Sequence, residues 1–284
     1  MPRLLLVFLL IIPALLKAEA LQIFVSVPPL KTFVEKVAGP HASVHSMVKP
    51  GHNPAPYEPG PQQISQLAST DFFLRIGMPY EKAWMPRIQA TNPAMQIIDA
   101  QQGITMRRFA QRHQHDGHAH HENELDPHIW TSPVVVTQIL LNIEKLLTEA
   151  LPEFSREFAA NRQRYTAELQ QLDQQISQQL HAMEDRKFMV FHPSWGYFAD
   201  RYELEQIAIE KQGKEPGARM LSTLINQAKQ AGVKVVFVQP QFSRQSALQI
   251  ARAIDGKVIA IDPLATDYTN NLRQVAQQLA EALQ

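Results

Sequence analysis

The stretch SPVVVTQILLNIEKLLTEALPEFSREFAANRQRYTAELQQLDQQISQQLHAMEDR, from Ser132 to Arg186, decides the architecture of this chain, because it is almost wholly helical in pattern. Ser132 followed by Pro133 is a helix start: the serine can cap free N–H groups, and proline is tolerated at the first helical position. Pro152 should break the segment into two helices. The second carries Phe154, Phe158, Tyr165, Leu169, Leu172, Ile176 and Leu180 at roughly helical spacing, an apolar stripe that needs a partner. A helix of about 30 residues spans on the order of 45 Å, enough to run along two bodies at once. So long a helical connection limits hinge motion, and large closure of those bodies is not expected.

On either side, apolar strand-like runs alternate with helical patterns. Before the segment stand LQIFVSV (from Leu21), ASVHSMV (from Ala42), DFFLRIG (from Asp71) and MQIIDA (from Met95), with the helical KTFVEKVAG and QQISQLAST between them. After it stand KFMVFH (from Lys187), LEQIAIE (from Leu204), VKVVFVQ (from Val233) and KVIAID (from Lys257), separated or followed by helices around 218–231, 243–254 and 269–283. Alternation of this kind predicts α/β architecture: two lobes with mainly parallel sheets joined by a long bridging helix. The expected division is a signal peptide at 1–20, an N-terminal α/β lobe at 21–131 with a His-rich loop at 107–125, a bridging helical segment at 132–186, and a C-terminal α/β lobe at 187–284. The stretch from Ile104 to Asp126 has no apolar period and reads as a mobile surface loop.

The first twenty residues read as a secretory signal. After Arg3 comes LLLVFLLIIPALL, then Lys17 and the small-x-small Ala18-Glu19-Ala20, with cleavage predicted after Ala20. The apolar run is short of the roughly 20 residues that span a bilayer, and Pro13 interrupts it. No cysteine occurs, which removes disulfides, thiolate metal sites, a cysteine nucleophile and a lipidated cysteine together. Lysine plus arginine and aspartate plus glutamate number 27 each, so no electrostatic footprint points to nucleic acid. Histidine is the unusual component: six of the eleven lie from His113 to His128, which raises the question of metal.

His128 stands in Asp126-Pro127-His128-Ile129-Trp130, just before the Ser132 helix start. A lone histidine there serves as readily for capping or surface as for ligation. His192 follows the apolar strand FMVF; the carboxyl end of a strand in an α/β lobe faces the ligand crevice, although a buried histidine held by a backbone carbonyl fits the same position. Asp262 takes the matching place after KVIAI, where a cap or turn role is the competing explanation. Two imidazoles and a carboxylate form a hard-to-borderline donor set suited to zinc, manganese or ferrous iron. In the proline-rich loop Gly51-His52-Asn53-Pro54-Ala55-Pro56-Tyr57-Glu58-Pro59, the donors are His52 and Glu58. His113, His115, His118, His120 and His121, interleaved with acidic residues, would bind borderline metals loosely, since each chelate must first order the chain.

The segments PGHNPAPYEPGPQQ, DPHIWTSP, FHPSWGYFADRYEL, EKQGKEPGA, VFVQPQFS and AIDPLATDY resemble, in combination, the zinc/manganese-type substrate-binding proteins of metal ABC importers. The likeness runs through nearly the whole chain after the signal, and the histidine-rich insertion before DPH resembles that of the zinc-transporting members. It implies two α/β lobes bridged by a long helix with the metal between them. His128 then takes the family's N-lobe ligand position, His192 the C-lobe imidazole and Asp262 the late carboxylate. Where the family usually has its first histidine, this chain has Ala55; His52, Glu58 or a water could complete the sphere, and His52 replaces an imidazole without changing site charge. Gln239 stands where a glutamate is common and supplies no anion.

The resemblance implies a periplasmic solute-binding protein, monomeric, that captures a divalent ion, Zn2+ before Mn2+ or Fe2+, and delivers it to the membrane permease of an ABC importer. An outer barrier would retain such a receptor in the absence of a lipid anchor. A periplasmic zinc hydrolase is the competing class, since catalytic zinc also uses three protein ligands and an open position; no HExxH motif is present. A receptor of the same fold for a chelated or organic ligand is the third.

Overall fold

The computed structural model describes residues 20–109, 125–210 and 215–283. The signal residues through Glu19 and the loop histidines His113, His115, His118, His120 and His121 lie outside the described residues.

In the N-terminal lobe, β1 (Leu21–Val25), α1 (Pro28–Ala38), β2 (Ala42–Ser46), α2 (Pro61–Gln66), β3 (Phe72–Arg75), α3 (Pro79–Thr91) and β4 (Gln96–Asp99) follow in order. The strands form a parallel sheet in the order β2-β1-β3-β4. Two helices come next, α4 (Pro133–Ala150) and α5 (Ser155–His181). The second lobe repeats the plan with β5 (Lys187–Val190), α6 (Gly196–Arg201), β6 (Glu205–Ala208), α7 (Ala218–Gln230), β7 (Val235–Val238), α8 (Gln245–Ala253), β8 (Lys257–Ala260) and α9 (Tyr268–Ala282). Its sheet is again parallel, in the order β6-β5-β7-β8. The α/β expectation therefore holds, and all eight strands fall inside the apolar runs named above.

The strand order reverses between β1 and β3 and again between β5 and β7. In open parallel sheets the crevice outside the carboxyl ends at such a reversal is where ligands bind. The C-lobe strands show why the sheet is covered on both sides. Phe188, Val190, Val235 and Phe237 join the main core, whereas Met189, Phe191, Val236 and Val238 join a second core beneath α7 and α8. Successive side chains alternate between faces, so a continuous apolar run feeds both cores.

The main core is continuous across both lobes and the bridging helices. α5, at 27 residues, is about 40 Å long and packs on α1, α4 and α9. Its buried face holds Phe158, Tyr165, Leu169, Leu172, Ile176 and Leu180 as expected; Phe154 instead sits in a 3-10 turn at Pro152–Phe154 and stacks on His41, ring centroids 3.9 Å apart. The lobes are also tied directly: Thr32 Oγ1 donates to the Thr266 carbonyl at 2.7 Å, and the Phe33 ring meets Tyr268 edge-on at 4.9 Å.

Two expectations need correction, and two further helices add to the plan. Ser132 occupies the N-cap of α4, but its hydroxyl makes no capping hydrogen bond; Pro133 alone acts as expected. α3 lies outside the helical runs named above; Pro79 takes its opening turn and Pro86 is accommodated inside it. α6 is a six-residue helix, too short for a period to be read. The ends of the 104–126 stretch are not surface loop: Ile104 and Met106 pack against the core, Arg108 bridges antiparallel to Leu125, and Asp126 is fully buried.

Candidate metal centre

His128 stands in a buried run from Asp126 to Ser132 that leads into α4. Pro127 and the 3-10 turn Ile129–Thr131 fix its backbone, and Asp126 fixes its ring. Oδ1 of Asp126 accepts from the His128 backbone N–H at 3.0 Å and pairs with ring Nδ1 at 2.7 Å. Burial acts to raise the Asp126 carboxyl, but the His128 ring and the hydrogen bonds from His128 and Arg107 outweigh it and hold the group below its ordinary range. An ionised carboxylate can only accept, so a proton sits on Nδ1, and in the neutral ring Nε2 then keeps its lone pair.

His192 follows β5, where the strand runs out at the carboxyl edge of its sheet. Its Nδ1 pairs with Glu210 Oε1 at 2.7 Å, and Glu210 follows the neighbouring strand β6. Gln239, after β7, holds the backbone from the other side: Oε1 accepts from the His192 N–H at 3.1 Å, and Nε2 donates to the His192 carbonyl at 2.5 Å and to Ser194 Oγ at 3.0 Å. The neutral amide thus serves as both donor and acceptor where a carboxylate could only accept. Burial pushes the His192 imidazolium down, against the pull of Glu210, so the ring favours its neutral form.

These two rings meet. Nε2 of His128 and Nε2 of His192 lie 3.3 Å apart, with the rings at 75°. When both rings are neutral and their Nδ1 protons are committed to carboxylates, two lone pairs face each other with no hydrogen between them. A cation relieves that opposition. Zinc bonds imidazole nitrogen at about 2.0–2.1 Å, and at a tetrahedral angle two such nitrogens stand about 3.3–3.4 Å apart. Around the pair, Trp130 meets His128 edge-on at 5.3 Å, Phe242 stacks on His192 at 4.9 Å, and Phe109 approaches His128 at 6.2 Å. Trp130 also donates from Nε1 to the Pro263 carbonyl at 2.7 Å, and Tyr268 donates to the Trp130 carbonyl at 2.8 Å, so the two halves of the site are hydrogen-bonded across the lobes.

The remaining residues singled out in the sequence stand apart from the pair. Asp262 follows β8; its Oδ1 accepts from Gln241 Nε2 at 2.7 Å and from the Leu264 N–H at 2.9 Å. His52 is exposed, with Nδ1 3.2 Å from the Pro50 carbonyl and its ring edge-on to Tyr57 at 5.8 Å. Glu58 is exposed, while Tyr57 between them is buried and anchors the loop to Gln63 at 2.9 Å. Ala55 donates its N–H to Asn53 Oδ1 at 2.9 Å. Among the described residues no group of three His, Asp, Glu or Cys side chains converges as a metal cluster; the two imidazoles are what the fold brings together. The ring-holding carboxylates Asp126 and Glu210 were not assigned from sequence. Asp126 carried a signal, standing two residues before His128 beside a proline; Glu210 carried none, since only the pairing of β5 with β6 places it.

A family profile described as the periplasmic zinc-uptake complex component A matches residues 23–282. A crystal structure of ZnuA superposes with a TM-score of 0.87 at 39% identity, covering 94% of this chain and 100% of that one. A zinc-bound deletion mutant of ZnuA superposes at 0.86 with 40% identity, covering 93% and 98%. The high-affinity zinc uptake system protein ZnuA of Bacillus subtilis (strain 168) is 26% identical over 87% of this chain and 80% of its own. The zinc-binding protein AdcA of Streptococcus pyogenes serotype M6 is 26% identical over 83% of this chain, and the chain spans about half its length, 49%.

Proposed function

The chain belongs to the periplasmic zinc-uptake complex component A family, and from that membership we propose that it is an exported solute-binding protein that captures Zn2+ between its lobes and delivers it to the permease of an ABC importer. The observation that carries this reading is the 3.3 Å approach of two Nε2 atoms whose Nδ1 partners are carboxylates. Asp262 is the proposed third donor. Its hold on Gln241 leaves one carboxylate oxygen to offer, and hard oxygen beside two imidazoles suits zinc. For the fourth position, where Ala55 has no donor, the order of preference is His52, then Glu58, then water; His52 would have to leave its place beside Pro50.

Mn2+ or Fe2+ in the same site is the nearest alternative, since carboxylate donors accommodate both. A hydrolase is the less supported reading, because the matching family is a zinc-uptake component and each carboxylate beside the imidazoles already holds a ring N–H. The histidines from His113 to His121 are proposed as an accessory capture segment, weaker than the central site. Export would remove residues 1–20, and no described helix is long and apolar enough to cross a membrane.

Zinc titration against a chelating indicator tests the proposal. The chain without its signal should bind one ion tightly, and His128→Ala with His192→Ala should lose that binding; wild-type affinity in the double variant would defeat the assignment.

A further inference from the structure

Arg107 stands at the start of the histidine-rich stretch and pairs with two carboxylates, Asp126 beside His128 and Asp200 on α6. Its Nη1 donates to Asp126 Oδ2 at 2.7 Å, while Nε and Nη2 donate to the two oxygens of Asp200 on α6 at 2.8 and 3.3 Å. Its backbone N–H donates to Tyr197 Oη at 3.0 Å, and Tyr197 in turn donates to the Asp126 carbonyl at 2.9 Å. Asp126 therefore divides its oxygens: one holds His128, the other is held by Arg107. A rigid guanidinium fork can serve two carboxylates in fixed directions, which an ammonium cannot.

Gly196 on α6 leaves the room for this. A Cβ there would fall 1.7 Å from Arg107 Nη1 and 2.8 Å from Asp126 Oδ2, and the residue's φ is not positive, so space and not torsion requires glycine.

We propose that Arg107 is a positioning residue for metal capture: by locking Asp126 against α6 of the opposite lobe, through the gap at Gly196, it keeps the proton on His128 Nδ1 and the Nε2 lone pair aimed at His192. This rests on the reading of His128 and His192 as the zinc pair. Without the fork, Asp126 can turn away, and His128 is free to take the other tautomer.

Two readouts test it in Arg107→Gln and, independently, in Gly196→Ala, which displaces the guanidinium without removing its charge. Imidazole nitrogen NMR of the metal-free protein near neutral pH should show His128 protonated at Nδ1 in the wild type and a mixture of tautomers in both variants. Zinc affinity should fall about 10–100-fold, the range for losing a group that orients a ligand. Arg201→Gln, which breaks a comparable pair with Asp173 away from the imidazoles, should change neither. An unchanged tautomer and unchanged affinity in a folded Arg107→Gln protein would overturn the proposal, and the same result in Gly196→Ala would do so if Arg107→Gln does not fold. Should the wild type itself fail to bind zinc, the functional reading falls, while the tautomer measurement still decides the role of Arg107.

Discussion

Asp126 and Glu210 each give a carboxylate oxygen to a ring nitrogen at 2.7 Å, and through those bonds both imidazoles turn the same nitrogen toward one point. Asp126→Asn and Glu210→Gln keep shape but allow the amide to present N–H to the ring, which favours the wrong tautomer; each should weaken zinc binding about 10–100-fold by titration with little effect on folding. The His192 ring also has a pH consequence. Its folded pKa lies below the ordinary 6.5, with burial the largest cause. A group depressed in the folded state contributes stability that is fully present above its unfolded pKa and is lost as pH falls through the folded value. Denaturant melts of the metal-free protein should therefore show stability falling below about pH 6.5, and His192→Gln should flatten that fall. His128 and His192, which the fold brings together, are legible in the sequence because each stands beside a landmark, a Pro-flanked helix start or a strand end. The carboxylate on each ring is not legible there, since a contact between neighbouring strands leaves no mark on spacing.

The elements of this fold were legible where burial is periodic. The inner strands β1, β3, β5 and β7 are short buried runs, the edge strands β2, β4, β6 and β8 are mostly half-buried or exposed, and α5 carries its apolar stripe over 27 residues. α3 has no apolar stripe to read: only Tyr80, Glu81 and Ile88 are buried along its 13 residues, although Pro79 at its first turn favours a helix start. The stretch before Asp126 has no apolar period to reveal structure, yet the Arg108–Leu125 bridge and the Arg107–Asp126 pair tie its two ends down beside His128. Removal of residues 113–121 should accordingly leave the tight site intact and abolish only weaker zinc binding, as resolved by calorimetry. Loss of the tight site in that deletion would make a loop histidine the missing donor in place of His52.

At the scale of the whole molecule, the imidazole pair joins the run that enters α4 to the carboxyl end of β5 in the second lobe, and one continuous core runs from lobe to lobe along α5. Cross-lobe hydrogen bonds from Trp130 to Pro263, Tyr268 to Trp130 and Arg107 to Asp200 lie close around the imidazoles. On the proposed assignment an ion entering here would find two nitrogens already at bonding separation, and capture would need local movement of the other donors and no large closure of the lobes. Anomalous diffraction at the zinc edge, on crystals of the loaded protein without its signal, tests this most directly. A single strong peak about 2.0–2.1 Å from Nε2 of both His128 and His192, with the Asp126 and Glu210 contacts and the cross-lobe bonds retained, is the predicted result. A zinc peak bonded to neither imidazole in a protein that binds the ion tightly would contradict it.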